Sequence, residues 1–304
     1  MPDRTAESGF ADVQDPILAG LIAHPVTVRI PPVQSVSLLF SSPHSGRLYP
    51  QTFVAGSWLS ALNLRRSEDA YVDLLFAPAA GIGASLVAAR FPRAFLDVNR
   101  APSELDPDMF DAPLEVPADP ASPRVHAGLG VIPRIIRDGA EIYRHKLDPR
   151  IAAERIAAFH RPYHAAIAKQ VELLRRRFGF AVLLDCHSMP STAASHDMIL
   201  GDRHGLSAAP AMVRAMERAF LGQGFSVARN IPYPGGYTTQ LHGRPATGVH
   251  ALQIEVNRAT YLDEDRVAPG PQFRKVQIRI ASAIAEFVGA IGAAGQGAAA
   301  QAAE

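Results

Sequence analysis

The run Val182-Leu183-Leu184-Asp185-Cys186-His187-Ser188 limits what this chain can fold into more than any other stretch. Its apolar half reads as a buried strand. The polar half that follows carries a histidine to the strand's C-terminal tip, with a carboxylate two residues behind it. Open α/β sheets collect their sites at the carboxyl ends of strands, and a metal-ligating imidazole usually gives its other N–H to an oxygen acceptor. A second run does the same: Ser35-Val36-Ser37-Leu38-Leu39-Phe40 enters Ser41-Ser42-Pro43-His44-Ser45-Gly46, where Pro and Gly force a sharp turn and leave His44 above the sheet. Two strand-tip histidines point to one shared zinc.

Short apolar runs at about 35–41, 84–90, 181–186, 197–200, 226–230 and 249–256 alternate with helical patterns. That order belongs to an α/β fold with a mostly parallel sheet flanked by helices. One helix is expected over about 67–77, with Ser67 as N-cap, Glu68 and Asp69 in its first turn, and Val72, Leu75 and Phe76 on one face. A long one is expected over about 149–178, where Ile151, Ile156, Phe159, Tyr163, Ile167, Val171 and Leu174 recur at helical spacing and Pro162 introduces a kink. Others fall at about 207–223 and 266–292. A chain of 304 residues can hold one large α/β domain, and residues 1–292 read as a single catalytic domain with an Ala/Gly-rich disordered tail at 293–304. The proline-rich, acidic stretch at about 101–128 reads as a surface excursion beside the site.

Composition excludes several classes. A formal net charge of +1 without a basic block leaves no electrostatic footprint for nucleic acid. The N-terminus is polar and acidic, and no run reaches membrane-spanning length, so a soluble, cytoplasmic protein is expected. The single cysteine, Cys186, rules out an internal disulfide and a multi-thiolate zinc site. Any metal must therefore rest on His and carboxylate, and that donor set also suits other divalent ions.

A catalytic zinc takes three protein ligands and keeps a fourth position open, so an acid must join His44 and His187. Asp69, at the expected helix start, is the first choice and Glu68 the rival; either acid also suits a helix N-terminus without any metal. Alternation in Val249-His250-Ala251-Leu252-Gln253-Ile254-Glu255 puts Val249, Ala251, Gln253 and Glu255 on one side. A buried carboxylate is costly without a partner or a chemical role, and Glu255 is either a general base or an ion-pair partner of Arg258. Arg100 carries the group that grips a carboxylate with two parallel hydrogen bonds, or it pairs with Asp97 or Glu104. Gly235-Gly236-Tyr237-Thr238-Thr239 is either an anion-cradling turn or a plain one. His164, three residues after Arg161, is either a substrate contact or a satisfied core histidine.

Seven segments then stand in a telling order: Pro43-His44-Ser45-Gly46, Glu68-Asp69, Asp97-Val98-Asn99-Arg100, Phe159-His160-Arg161-Pro162-Tyr163-His164, Asp185-Cys186-His187-Ser188, Gly235-Gly236-Tyr237-Thr238-Thr239 and Gln253-Ile254-Glu255. Over about 40–265 the chain resembles the N-formylglutamate amidohydrolase family, itself similar to the zinc carboxypeptidases. Two departures are that Glu68-Asp69-Ala70 stands where the family often has Thr-Asp-Trp, and Glu255-Val256 where it often has Glu-Met. The resemblance implies a three-layer, phosphorylase/hydrolase-like sandwich and one zinc per chain on His44, Asp69 and His187. It implies Glu255 and Arg100 as catalytic groups, and Asn99, Arg100, Gly236, Tyr237, Thr238, Thr239 and His164 around an acidic small-molecule substrate. The reaction it implies is hydrolysis of a linear amide C–N bond, N-formyl-L-glutamate giving formate and L-glutamate. A zinc carboxypeptidase or another N-acylamino-acid deacylase is the alternative.

Overall fold

The structure, a computed structural model, describes residues 10, 14–136 and 139–301. A seven-stranded sheet is built from β1 (Val26–Arg29), β2 (Leu38–Ser42), β3 (Ser85–Ala89), β4 (Ala181–Met189), β5 (Met198–Gly201), β6 (Val227–Arg229) and β7 (Val249–Asn257), in the order β1-β3-β2-β4-β7-β5-β6. Pairs β2/β4, β4/β7 and β5/β6 are parallel, and β5/β7 is antiparallel. The sheet is thus mixed and mostly parallel, with helices flanking it, as expected. Strands β2, β3, β4, β5 and β7 are buried along their whole length, which is why they read as near-continuous apolar runs rather than alternating ones. All six expected strands are present. β1 was not expected: Val-Thr-Val-Arg is short, half exposed and lacks a strong signal.

The chain forms two compact units. The first takes in residues up to Thr27, Pro43–Ala70 and Val87–Ile167. Its core is aromatic. Phe95 meets Phe53 and Phe159 edge-on at 5.4 and 5.3 Å. Arg155 is buried against the Phe95 ring and donates from Nη1 to the Phe95 carbonyl at 2.9 Å and the Tyr143 hydroxyl at 2.8 Å. Such ring contacts add about 0.5–1.5 kcal/mol each beyond area burial, and the Arg155 bond to its carbonyl holds the backbone at Phe95. The second unit takes in Val28–Ser42, Tyr71–Leu86 and Ala168–Glu304. There the helix Phe273–Gln301 packs along the helix Pro210–Gly222, and Tyr237–His242 packs on β7 and β4.

Three expectations about helices are corrected. No helix begins at Ser67: Ala61–Arg65 ends just before it, Ser67 donates its hydroxyl back to the Leu64 carbonyl at 2.7 Å, and the next helix is Val72–Leu75. Asp69 therefore sits in a turn, closed by Tyr71 in the left-handed region at φ 63°, a conformation costly for a bulky residue. The long helix is continuous but not simply kinked. Arg150–Arg155 and Arg161–Phe178 are α-helical, and Ile156–His160 between them is a π turn. Pro162 offers no N–H to the carbonyl four residues back, so the ladder widens ahead of it. The last helix starts at Phe273 instead of 266, after the short ribbon Leu262–Asp263 with Ala268–Pro269. Its helical backbone runs to Gln301, through the stretch expected to be a tail, because alanine is the best helix former; residues 302–304 lie outside the described residues. No helix among the described residues is long and apolar enough to cross a membrane.

Candidate functional site

In the first unit His44 is the centre. It follows β2 by two residues, in the turn Pro43-His44-Ser45-Gly46. A side chain at position 46 would overlap the Phe91 backbone carbonyl, so glycine is what lets this turn lie flat against its neighbour. The Asp69 N–H donates to the His44 carbonyl at 3.0 Å. The imidazole is held at both ends: Nδ1 lies 3.0 Å from Asp69 Oδ2, and Nε2 lies 2.7 Å from Asp97 Oδ1.

Asp97 gathers charge around itself. It accepts from Arg93 Nη2 at 2.8 Å and from the Asn99 N–H at 2.8 Å, and Arg100 Nη2 stands 3.9 Å away. Burial opposes ionisation, but His44, Arg93 and Arg100 outweigh it and hold the carboxyl well below the usual carboxylate range. Arg93 Nη1 also stands 3.7 Å from Asp69 Oδ1. Glu68, the rival to Asp69, is tied elsewhere: its Oε1 accepts from Tyr49 Oη at 2.8 Å and Arg65 Nε at 3.1 Å. Burial pushes its carboxyl pKa up against the pull of Arg65 and Tyr49.

Arg100 donates from Nε to the Leu129 carbonyl and from Nη1 to the Asn99 carbonyl, both at 2.9 Å. The expected pairing with Asp97 is present only at long range, and Glu104 is bound by Ala101 N–H and Ser122 Oγ, both at 2.8 Å. His160 and His164, one helical turn apart and with rings 4.6 Å apart, face the Arg100 and Val98 carbonyls at 2.9 and 2.8 Å from Nε2. His164 is buried, and this bond makes it a support of the Val98–Arg100 backbone.

In the second unit β4 does not stop at 186; it runs to Met189, so His187 is in the strand and not beyond its tip. Asp185 and His187 share a face, and His187 Nε2 lies 2.9 Å from Asp185 Oδ2. Asp185 Oδ1 accepts from Ser41 Oγ at 2.7 Å, across the register pair Ser41↔Asp185. On β7 the register partner of His187 is Glu255 and that of Asp185 is Gln253. The expected partner of Glu255, Arg258, donates from Nε to Ser188 Oγ at 3.1 Å. Gly235, at φ 122°, and Gly236 lead into the helix Tyr237–His242. The Gly236 N–H donates to Gln253 Oε1 at 2.8 Å, and Thr239 Oγ1 donates to the Gly236 carbonyl at 2.9 Å. Those two groups serve the turn itself. Thr238 and Thr239 are buried and Tyr237 is partly exposed. His242 on this helix is pushed by burial to a pKa of about 4, against the pull of Asp185, and is neutral at physiological pH.

Among the described residues one group of side chains could hold a metal ion: His44, Asp69 and His187, all buried, with one ligand atom from each lying within 4.8 Å of the other two. The donor types suit one divalent ion, and each imidazole has a carboxylate on Nε2, the arrangement that orients ligating histidines. Asp97 as the partner of His44, and Gln253 beside Glu255, were missed as site residues; both lie in the segments Asp97-Val98-Asn99-Arg100 and Gln253-Ile254-Glu255.

A family model described as N-formylglutamate amidohydrolase matches residues 36–262. The N-formylglutamate deformylase of Pseudomonas aeruginosa is 33% identical over 239 residues, 75% of this chain and 83% of that protein. That of Pseudomonas putida is 29% identical over 75% of this chain and 82% of its own length. A crystal structure of N-formylglutamate amidohydrolase from Ralstonia eutropha JMP134 is 34% identical, with a TM-score of 0.81 over 87% of this chain and 98% of that one. An Agrobacterium tumefaciens gene product, 18% identical with a TM-score of 0.65, shares the fold. The protein is accordingly an enzyme, a hydrolase of a C–N amide bond. It belongs to the N-formylglutamate amidohydrolase family.

Proposed function

We propose that the protein hydrolyses N-formyl-L-glutamate to formate and L-glutamate, using one divalent metal, zinc, held by His44, Asp69 and His187. The observation that carries this reading is a buried His-Asp-His donor group in a chain so similar to N-formylglutamate deformylases. A bound divalent ion supplies Lewis acidity, polarising the scissile carbonyl and lowering the pKa of a water. The chain's own groups do the rest. Glu255, the register neighbour of His187, takes a proton from the attacking water and returns it to the leaving nitrogen, the base-then-acid role. Arg100 grips a substrate carboxylate with paired, charge-assisted hydrogen bonds. Its anchored Nε and Nη1 support this reading, because a fork already held in place loses less freedom on binding. Asn99, Tyr237 and Thr238 line the substrate, Gly236 and Thr239 shape the turn that presents them, and His164 supports the clamp through the Val98 carbonyl. Residues 1–292 act as one catalytic domain, in the cytoplasm, on an acidic small molecule.

The test is turnover by metal-loaded protein on N-formyl-L-glutamate, on other N-acyl amino acids and on a peptide with a free carboxyl terminus. N-Formyl-L-glutamate should give the highest kcat/KM; a higher value for the peptide would replace this reading with a carboxypeptidase, and for a larger acyl group with a general deacylase. Glu255→Gln should bind metal and substrate normally and lose on the order of a thousandfold in kcat, since general acid–base groups contribute about 10²–10⁴. A loss under about tenfold would remove Glu255 from the chemistry.

A further inference from the structure

The Gly236 N–H, the Gln253 side chain and the Glu255 carboxylate form one directed chain, and we propose that Gln253 is the positioning residue of the general base. The inference rests on the reading of Glu255 just given. Both links are 2.8 Å long: Gly236 N–H to Gln253 Oε1, and Gln253 Nε2 to Glu255 Oε1. Gln253 is 4% exposed and Glu255 6%, so neither group is averaged over by water. The direction of the amide is determined. A backbone N–H only donates, so Oε1 must face Gly236, and the NH₂ is then the group that faces Glu255. Residues two apart on β7 point to the same side, which brings an amide beside the carboxylate with no help from a loop.

An N–H donated to one carboxylate oxygen of Glu255 fixes that oxygen, so that the rotamer is set before substrate arrives. Gln253 in turn is set by the glycine turn. Gly235 at φ 122° cannot be replaced without strain, and a side chain there would meet Thr239 Oγ1 at 2.7 Å; Gly201 beside it is equally closed, since a side chain would lie 2.7 Å from the Pro234 carbonyl carbon. The turn that precedes Tyr237-Thr238-Thr239 is therefore closely packed where it meets Gln253. Hydrogen bonds join the element proposed to line the substrate to the proposed base.

The two ends of Gln253 can be separated by substitution. Gln253→Glu keeps an oxygen for the Gly236 N–H but sets a second buried carboxyl group against Glu255, so the two must share one proton. We expect kcat to fall about 30-fold or more, with KM and metal content near wild type and a lowered melting temperature, because the neutral amide donor to the base is lost while the turn keeps its acceptor. Gln253→Met, similar in volume, removes both links, and should lower kcat comparably while also raising KM as the turn loosens. If Gln253→Glu does not fold, Gln253→Met carries the same expectation for kcat. A kcat within threefold of wild type in a folded variant overturns the proposal, as does an effect confined to KM. The result is read beside Glu255→Gln. If that variant loses kcat and the Gln253 variants do not, the positioning role alone fails; if Glu255→Gln keeps its activity, the reading of the base fails with it.

Discussion

The two histidines of the proposed metal group are supported in opposite ways. His187 finds its carboxylate two residues back on the same strand, and Asp185 is itself held by Ser41 on the neighbouring strand, so the sheet's pleat and register place all three. His44 reaches Asp97, 53 residues on, in a segment held by Arg93, by the Asn99 N–H and by the backbone bonds of His160 and His164. One support is a property of a strand. The other is a small charged network that exists only when distant segments fold together.

That difference explains what the sequence disclosed. Period-two alternation puts Asp185 behind His187 and Gln253 beside Glu255, and apolar runs locate six strands, because both patterns are local. Asp97 stands in the sequence as one more acid near an arginine, and only a network of long-range bonds distinguishes it. The sequence pattern assigns Asp69 to a helix start that does not exist; it reaches His44 through a turn set by the Asp69 N–H bond to the His44 carbonyl and by Tyr71 in a left-handed conformation, and no periodicity signals such a turn. The π turn ahead of Pro162 is of the same kind. Pro162 announces a disturbance, but the form it takes follows from which carbonyl loses its donor.

Removing each support should measure the difference. Asp97→Asn is expected to weaken metal affinity about 100-fold and Asp185→Asn about tenfold, the two ends of the range seen for carboxylates behind ligating histidines. Asp97 should cost more because its charge also offsets those of the half-buried Arg93 and Arg100, whereas Asp185 faces Ser41 and His187. Chelator competition on the two variants reads this directly, and equal losses would show that the network adds nothing to the local support.

The same point is sharpened at Arg100, whose Nε and Nη1 are held by the Leu129 and Asn99 carbonyls. Arg100→Ala should lower kcat/KM for N-formyl-L-glutamate about 30-fold or more, since losing one partner of a buried charged pair costs roughly 2–5 kcal/mol and each decade is about 1.4 kcal/mol. The corresponding α-amide, a poor substrate already, should lose far less. Arg100→Lys should restore only part of the rate, because an ammonium has no planar fork. Equal losses for acid and amide would make Arg100 an oxyanion or structural group instead of a carboxylate clamp.

The central claim is the ligand set, and metal content tests it most directly. Elemental analysis after chelator competition should find about one divalent ion per chain, zinc foremost, in the unaltered protein and in Glu68→Ala, whose carboxylate is engaged by Tyr49 and Arg65. His187→Ala and Asp69→Ala should fall toward none, because a catalytic site of this type has three protein ligands and no spare. Full metal retention in His187→Ala would contradict the account, and retention in Asp69→Ala with loss in Glu68→Ala would transfer the third ligand to Glu68.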